Sequence, residues 1–371
     1  MIVPTKGEID APSSSRKNLC LSVVEPDIKD ETSFQELDMI LTQYLETLSE
    51  RKKYHIGYPT NMHYEYHAIL APLLQFSLNN CGDPFTQSPV DFHSKDFEVA
   101  VLDWFAQLWE IDKDEYWGYI TSGGTVRAIS MAFWLGTTFK GAIDDLDFVI
   151  QTLEYCGYSN DRYYIHCDAA LCGLILPFIR HAKKITFKKP IGSISISGHK
   201  FLGCPMPCGI QITRKSYVSS LSKIEYINST DATISGSRNG LTPIFLWYCL
   251  STKGHARLQQ DSKICIENAR YLKDRLLEAG ISAMLNEFSI TVVFERPCDH
   301  KFIRHWNLCY LRGMAHVVVM PGITRETIDS FFKDLMQERN KWYQDAKALP
   351  PCLADDFGSQ NCMCSDSKMH N

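Results

Sequence analysis

From Phe34 to Leu48 apolar residues recur at Leu37, Ile40, Leu41, Tyr44, Leu45 and Leu48, a helical spacing that predicts an amphipathic helix. A stretch punctuated by Gly57, Pro59, Asn79, Asn80, Gly82 and Pro84 follows and reads as loops. Helical period returns from Phe97 to Trp109. There Val101, Leu102, Phe105 and Leu108 share one side, which assigns Trp104 and Trp109 to a core. Trp117-Gly118-Tyr119-Ile120 predicts a short buried strand, and the run from Tyr163 to Cys167 predicts another that ends in Asp168. Ser193-Ile194-Ser195-Ile196-Ser197 alternates as a strand and runs into Gly198-His199-Lys200, and Gly209 to Thr213 supplies one more strand. Helical patterning from about Gln259 to Ala279 stops at Gly280, a C-cap signal. The β-rich runs Ser289–Phe294 and His316–Met320 flank a helical segment, which predicts a small α+β domain. Residues 1–32 are polar and contain proline, as a flexible arm or a strap over a partner subunit would. The stretch 346–371 is polar and Cys-containing, without period, and reads as a flexible tail.

A chain of 371 residues holds one large domain of about 200 residues or more and a smaller companion. The formal net charge is only -5, and no long basic run offers the charge that nucleic-acid or membrane binding needs. Lys183-Lys184 and Lys188-Lys189 read as a solvated rim. No run of apolar residues has the length of a membrane span, and the start lacks a signal-peptide core, so a cytoplasmic protein is expected. The 14 cysteines are scattered through apolar stretches such as Trp247-Tyr248-Cys249-Leu250, as reduced, buried thiols are. Cys204 and Cys208, and likewise Cys352, Cys362 and Cys364, lack the paired spacing of a zinc site, so no metal is expected.

The chemistry concentrates on Lys200 and Asp168. A lone lysine after a strand is ordinarily solvated, and a lone aspartate at a strand end is ordinarily a helix cap. Both here follow strands, and Asp168 is followed by the small residues Ala169 and Ala170. Pyridoxal phosphate asks for that pair: an amine to form an imine, and a carboxylate to keep the pyridine nitrogen protonated. Thr121-Ser122-Gly123-Gly124-Thr125 has the small, hydroxyl-bearing makeup of a phosphate cradle, and also that of an ordinary turn.

Tyr54-His55-Ile56-Gly57-Tyr58-Pro59, Gly118 to Thr125, Ile165 to Leu171, Ser197-Gly198-His199-Lys200 and Gly236-Ser237-Arg238-Asn239-Gly240 together resemble, in this order, the motifs of the group II pyridoxal-phosphate-dependent amino-acid decarboxylases, above all the plant histidine/serine decarboxylase-like branch. The resemblance implies an α/β, type I pyridoxal-phosphate-dependent transferase-like fold. Its large domain would span 33–250, internally shortened near 126–135, and its small α+β domain 251–345. It implies a homodimer with active sites at the subunit interface, and a small amino acid, histidine or serine, as substrate. Carried over by position, Lys200 would form the imine with the cofactor and Asp168 would hold the pyridinium nitrogen. Ala170 would pack on the ring, and His199 and Ser197 would lie at the cofactor. Gly124 and Thr125 match the phosphate loop, and Ser237 matches a residue that reaches the phosphate from the neighbouring subunit. The resemblance, rather than the residue pattern, selects decarboxylation over transamination.

After Thr125 the likeness breaks, and Val126 to Leu135 stands where the family carries several strands and helices; it resumes at Gly136. The family's Thr-Glu-Gly-Asn continuation is missing, as is the His of a His-Tyr-Ser segment that stacks on the ring. No histidine occurs between His93 and His166. Consecutive parallel strands need a crossover of about a dozen residues or more, so the expectation is a sheet that has lost an internal strand, with Met131, Phe133, Trp134 and Leu135 buried in the remnant. Two other readings follow: a catalytically impaired member, as a truncated product or a dimer partner of an intact relative, and a structural or binding protein without cofactor. Asn61, His63, Asn79 and His93 could line a substrate pocket or be turn residues, and Arg238 could hold a substrate carboxylate or an interface acid.

Overall fold

The computed structural model describes residues 32–64, 67–88, 90–123, 132–134, 136–218, 222–224, 229–233, 236–344 and 350–364. The chain divides into two units, residues 1–53 and 54–371. In the first, helix α1 (Thr32–Lys52) realises the predicted amphipathic stretch, and its Leu37, Leu41, Tyr44, Leu45 and Leu48 are exposed.

The second unit runs α2 (His67–Leu70), α3 (Lys95–Leu108), β1 (Tyr116–Thr121), β2 (Ala132–Trp134), α4 (Leu146–Tyr155), β3 (His166–Asp168), β4 (Ser193–Ser197), β5 (Gly209–Arg214), β6 (Ser222–Ile224), β7 (Ser229–Asp231), α5 (Leu241–Glu278), β8 (Ala283–Leu285), β9 (Thr291–Glu295), α6 (His300–His305), β10 (Cys309–Leu311), β11 (Met314–Val318), α7 (Arg325–Tyr343) and α8 (Ala354–Phe357). A five-stranded sheet has the order β1-β5-β4-β3-β2. Strands β2, β3 and β4 are parallel, and β5 runs against both β4 and β1. Alternation in β4 puts Ile194 and Ile196 against Ile210 and Ile212 of β5, in a core shared with Val101, Leu102 and Phe105 of α3 and with Leu246 of α5. The serines of β4 face the other way and are buried as well, as expected of a sheet covered on both faces.

This sheet corrects the expectation of a lost internal strand. Strands β1 and β2, consecutive in the chain, stand at opposite edges, and the strands between them are hydrogen-bonded in an unbroken series. Among the described residues the ladders between those two edges are continuous. The burial expected of Met131, Phe133, Trp134 and Leu135 lies outside the described side chains.

A second, antiparallel sheet has the order β10-β11-β9-β8. One face carries Val292, Phe294, Ala315 and Val317 onto Leu272 and Leu276 of α5 and Ile328, Phe331 and Leu335 of α7. Helix α5 is a single element with a break at Gly254, whose φ of 60 and ψ of -179 are not helical. It begins well before the predicted Gln259, serves the large core as far as Ile266 and the small core from Ala269. The large core thus reaches past residue 250, where the sequence reading ended it, to Ile266 on the far side of the break at Gly254. The helix ends before Gly280, whose φ of 70 suits a left-handed cap.

The C-terminal stretch also departs from expectation. Residues 350–364 do not hang free: Leu353, Phe357, Cys362 and Cys364 are buried against Val293 and Met314, on the other face of the small sheet. Lys140 Nζ fixes the same segment through the carbonyl and carboxylate of Asp356, both at 3.0 Å.

Candidate active site

Asp168 ends β3, and Lys200 follows β4 after Gly198 and His199, so both stand at the same end of two adjacent parallel strands. The register pairs His166 with Ser193 and Asp168 with Ser195, which sets these four side chains on one face. The backbone turns sharply after β3: Ala169 N–H donates to Ser195 O at 2.8 Å, and Ala170 N–H donates to Asp168 Oδ1 at 3.1 Å. Ser197 N–H in turn donates to Ala170 O at 3.3 Å, which brings Ala170 beside the end of β4. Asp168, Ala170, His199 and Lys200 are partly exposed amid buried neighbours, so the cluster opens toward solvent.

Gly198 is required where it stands: a Cβ there would come within 2.7 Å of Cys208 Sγ and 2.8 Å of Leu246 Cδ2. Burial lowers the Lys200 pKa below the ordinary lysine range, while the negative charge of Asp168, and less that of Cys172, pulls it back up. Among the described residues no carboxylate pairs with its Nζ within 4.0 Å. His199 is held by Cys208, whose carbonyl oxygen lies 2.9 Å and whose amide nitrogen lies 3.1 Å from Nδ1. Burial lowers its pKa, so the ring is neutral near neutral pH.

His166 lies beneath Asp168 on the same face, with Nδ1 2.7 Å from Ser193 Oγ and Nε2 3.1 Å from Ser195 Oγ. Hydroxyls give or take a hydrogen, so a neutral ring is satisfied on both sides. Burial lowers the His166 pKa, and the charge of Asp168 opposes this. Below about pH 6.5 the unfolded chain therefore binds more protons at this histidine than the folded one does. Stability is expected to fall as the pH drops through that region, by up to about 1.4 kcal/mol per pH unit from this group. Denaturant titrations at about pH 7 and about pH 5.5 check this, with a shallower loss in His166→Gln. Equal losses in both proteins would remove His166 as a cause.

Of the other predicted site residues, Gly124 and Thr125 lie outside the described residues. Ser197 is buried at the end of β4, in register with Gly209. Ser237 is exposed, and its Oγ accepts from Asn79 Nδ2 at 3.2 Å. Its loop meets the turn after β1, where Ser122 Oγ accepts from Asn239 N–H at 2.8 Å. Arg238 is buried, and its Nη2 donates to Gly82 O at 2.9 Å and to Glu98 Oε2 at 3.3 Å, an acid of its own chain. Asn61 is likewise committed, with its Nδ2 donating to Phe201 O at 3.0 Å and its backbone N–H to Lys200 O at 3.2 Å. His63 is exposed beside it, while Asn79 serves the Ser237 loop and His93 Nδ1 accepts from Lys95 N–H at 3.2 Å.

Sequence reasoning missed Glu98 and the latching role of Asn61. An acid among apolar residues in a helical stretch was the available signal for Glu98, and nothing marked Asn61 as a partner of the chain at Lys200 and Phe201. It also missed the approach of Cys352, Cys362 and Cys364, whose sulfurs all lie within 4.8 Å of one another despite their unpaired spacing.

The fold is that of solved pyridoxal-phosphate decarboxylases of type I. L-methionine decarboxylase from Streptomyces sp. 590 superposes with a TM-score of 0.74 at 21% identity, over 85% of this chain and 97% of that one. Residues 123–296 match the profile described as pyridoxal-dependent decarboxylase conserved domain. Histidine decarboxylase of Solanum lycopersicum is 74% identical over 94% of this chain and 100% of its own length. Serine decarboxylase 1 of Oryza sativa subsp. japonica is 47% identical over 94% of this chain and 86% of its own. The chain belongs to the pyridoxal-dependent decarboxylase family. It is an amino-acid decarboxylase that uses pyridoxal phosphate, and the readings of an inactive member or a cofactor-free binding protein are not favoured.

Proposed function

We propose that this chain removes the carboxylate of histidine to give its amine, with Lys200 and Asp168 as the catalytic pair. The observation that carries the substrate choice is the identity of 74% to the tomato histidine decarboxylase against 47% to the rice serine decarboxylase. Release of carbon dioxide from carboxyl-labelled histidine and serine, in parallel and with pyridoxal phosphate added, tests it. Faster release from serine would reverse the assignment.

The residues fit the cofactor. Lys200 is a partly buried amine with no carboxylate in ion-pair range among the described residues, and Asp168 is the acid whose charge acts on it. Pyridoxal phosphate, when bound, supplies a carbonyl that takes up an amine and a protonated ring that draws off the electron pair left by the departing carboxylate. Lys200 supplies the protein's amine, and burial raises the share of the unprotonated form able to attack a carbonyl. Asp168 would keep a proton at the ring nitrogen, and Ala170 would leave room beside the ring. His199, fixed by Cys208, stays neutral at the cofactor. Gly124, Thr125 and Ser197 would bind the cofactor from the chain itself, and Ser237 from across a dimer interface.

Asp168→Asn keeps the shape of the side chain and removes its charge. Turnover is expected to fall by about 10²-fold or more, the cost typical of losing one electrostatic stabiliser. Cofactor bound in stoichiometric amount with that loss supports the role; unchanged turnover would dismiss it.

We infer further that the chain works as a homodimer in the cytoplasm. Exposed Ile69, Leu74, Phe76 and Phe92 support the dimer, since they flank Asn79, which bridges to Asn239 in the Ser237 loop. The cysteines support a reducing compartment, as none of the described ones is in a disulfide. No helix among the described residues is long and apolar enough to cross a membrane. The internal shortening after Thr125 is supported by lengths: the alignment with the tomato protein runs over 415 positions, more than the 371 residues of this chain.

A further inference from the structure

We propose that Cys352, Cys362 and Cys364 form a three-thiolate site for Zn²⁺, which fastens the C-terminal segment to the small sheet. The three sulfurs lie within 4.8 Å of one another, and those of Cys362 and Cys364 are 3.3 Å apart. Thiolates about 2.3 Å from a tetrahedral zinc stand about 3.8 Å from each other. A metal-bound arrangement therefore falls between the shortest separation and the upper bound, within reach of small side-chain rotations.

The backbone accounts for the convergence. Cys362 is extended, with φ -96 and ψ 127, so Cys362 and Cys364 project to the same side with Met363 between them. Helix α8 and the turn after it then bring Cys352 back beside the pair. Leu353 and Phe357 are the apolar anchors of this segment on Val293 and Met314.

A second observation points to a ligand. Cys362 Sγ accepts from Leu353 N–H at 3.2 Å and lies 3.8 Å from Ser282 Oγ, which itself accepts from Met363 N–H at 2.9 Å. Backbone and hydroxyl donors placed around a sulfur orient it as a metal-bound ligand. Thiolate is the soft donor that selects zinc over the hard divalent cations. On binding, the thiol protons pass to solvent and no electron moves. Cys362 and Cys364 are buried and Cys352 is exposed, which leaves the fourth coordination position facing outward for water.

The test uses the full chain with its pyridoxal phosphate, reduced, loaded with Zn²⁺ and dialysed, with metal then measured by elemental analysis. About one zinc per chain is expected. Cys352→Ser removes an exposed ligand with little risk to folding and should weaken zinc binding at least about 10-fold. The double variant C362S/C364S should abolish it, and Cys298→Ser, at an exposed cysteine elsewhere, should not change it. Co²⁺ in place of zinc should add a sulfur-to-metal charge-transfer band to the difference spectrum, and Cys352→Ser should weaken that band. Zinc absent from the wild type, zinc retained undiminished in Cys352→Ser, or a disulfide among the three cysteines in the reduced preparation would each overturn the proposal.

Discussion

Lys200→Ala is expected to abolish decarboxylation, lowering turnover by on the order of 10⁴-fold or more, as removal of a residue that carries the covalent chemistry does. Three features single out this lysine. It stands at the strand ends beside Asp168, burial lowers its pKa, and no carboxylate holds its Nζ as an ion pair among the described residues. The other described lysines with short ion pairs, such as Lys188 with Glu110 and Lys253 with Asp261, are already engaged. Lys200→Arg should fail almost as completely, because a guanidinium keeps its proton and cannot attack a carbonyl. The accompanying readout is the visible absorption of the cofactor bound to the wild type, which should be absent from Lys200→Ala at equal cofactor concentration. An alanine variant that kept both the absorption and the turnover would end the assignment of Lys200.

Much of this site was legible in the sequence, for a physical reason. Asp168 and Lys200 each end a strand whose alternation is visible in the residues, and small neighbours mark where a flat group approaches. What the sequence could not give was the order of the strands. Deleting a stretch after Thr125 looks damaging when consecutive strands are taken as neighbours, yet β1 and β2 stand at opposite edges of the sheet. The role of Arg238 was equally hidden, since its partner Glu98 lies 140 residues away in the chain. The tail misled for a related reason. Its apolar anchors, Leu353 and Phe357, are too few to make a period, and the surface that receives them is built from β9 and β11.

Glu98→Ala is expected to destabilise the protein by about 3–5 kcal/mol, the cost typical of leaving one member of a buried ion pair unmatched. That is a large part of the roughly 5–15 kcal/mol that holds a domain folded. Glu98 is 0% exposed. Its carboxylate accepts from Ile120 N–H at 2.8 Å and Asn80 Nδ2 at 2.7 Å as well as pairing with Arg238. Ile120 lies on the edge strand β1, so Glu98 satisfies a donor that no neighbouring strand can reach. Among the described residues, Nε and Nη1 of Arg238 have no hydrogen-bond partners, and the ring of Tyr119 lies 5.8 Å from its Cζ. Removing Glu98 would strand that charge and loosen the loop that carries Ser237.

Arg238→Met tests the same pair from the other side. Burial already pushes the Glu98 carboxyl above the usual carboxylate range, with Arg238 foremost among the groups that pull it back. Without Arg238 its folded pKa rises further, so the folded state takes up a proton that the unfolded chain does not hold until lower pH. The damage in Arg238→Met is then greatest above the folded pKa and is relieved as the pH falls through it. The damage in Glu98→Ala should not be relieved in that way, because no carboxyl remains to take up a proton. Denaturant titrations of both variants at about pH 7.5 and about pH 5.5, each set against wild type at the same pH, distinguish the two. Parallel behaviour of the variants would mean that this ion pair does not hold β1 and the Ser237 loop in the way its geometry indicates.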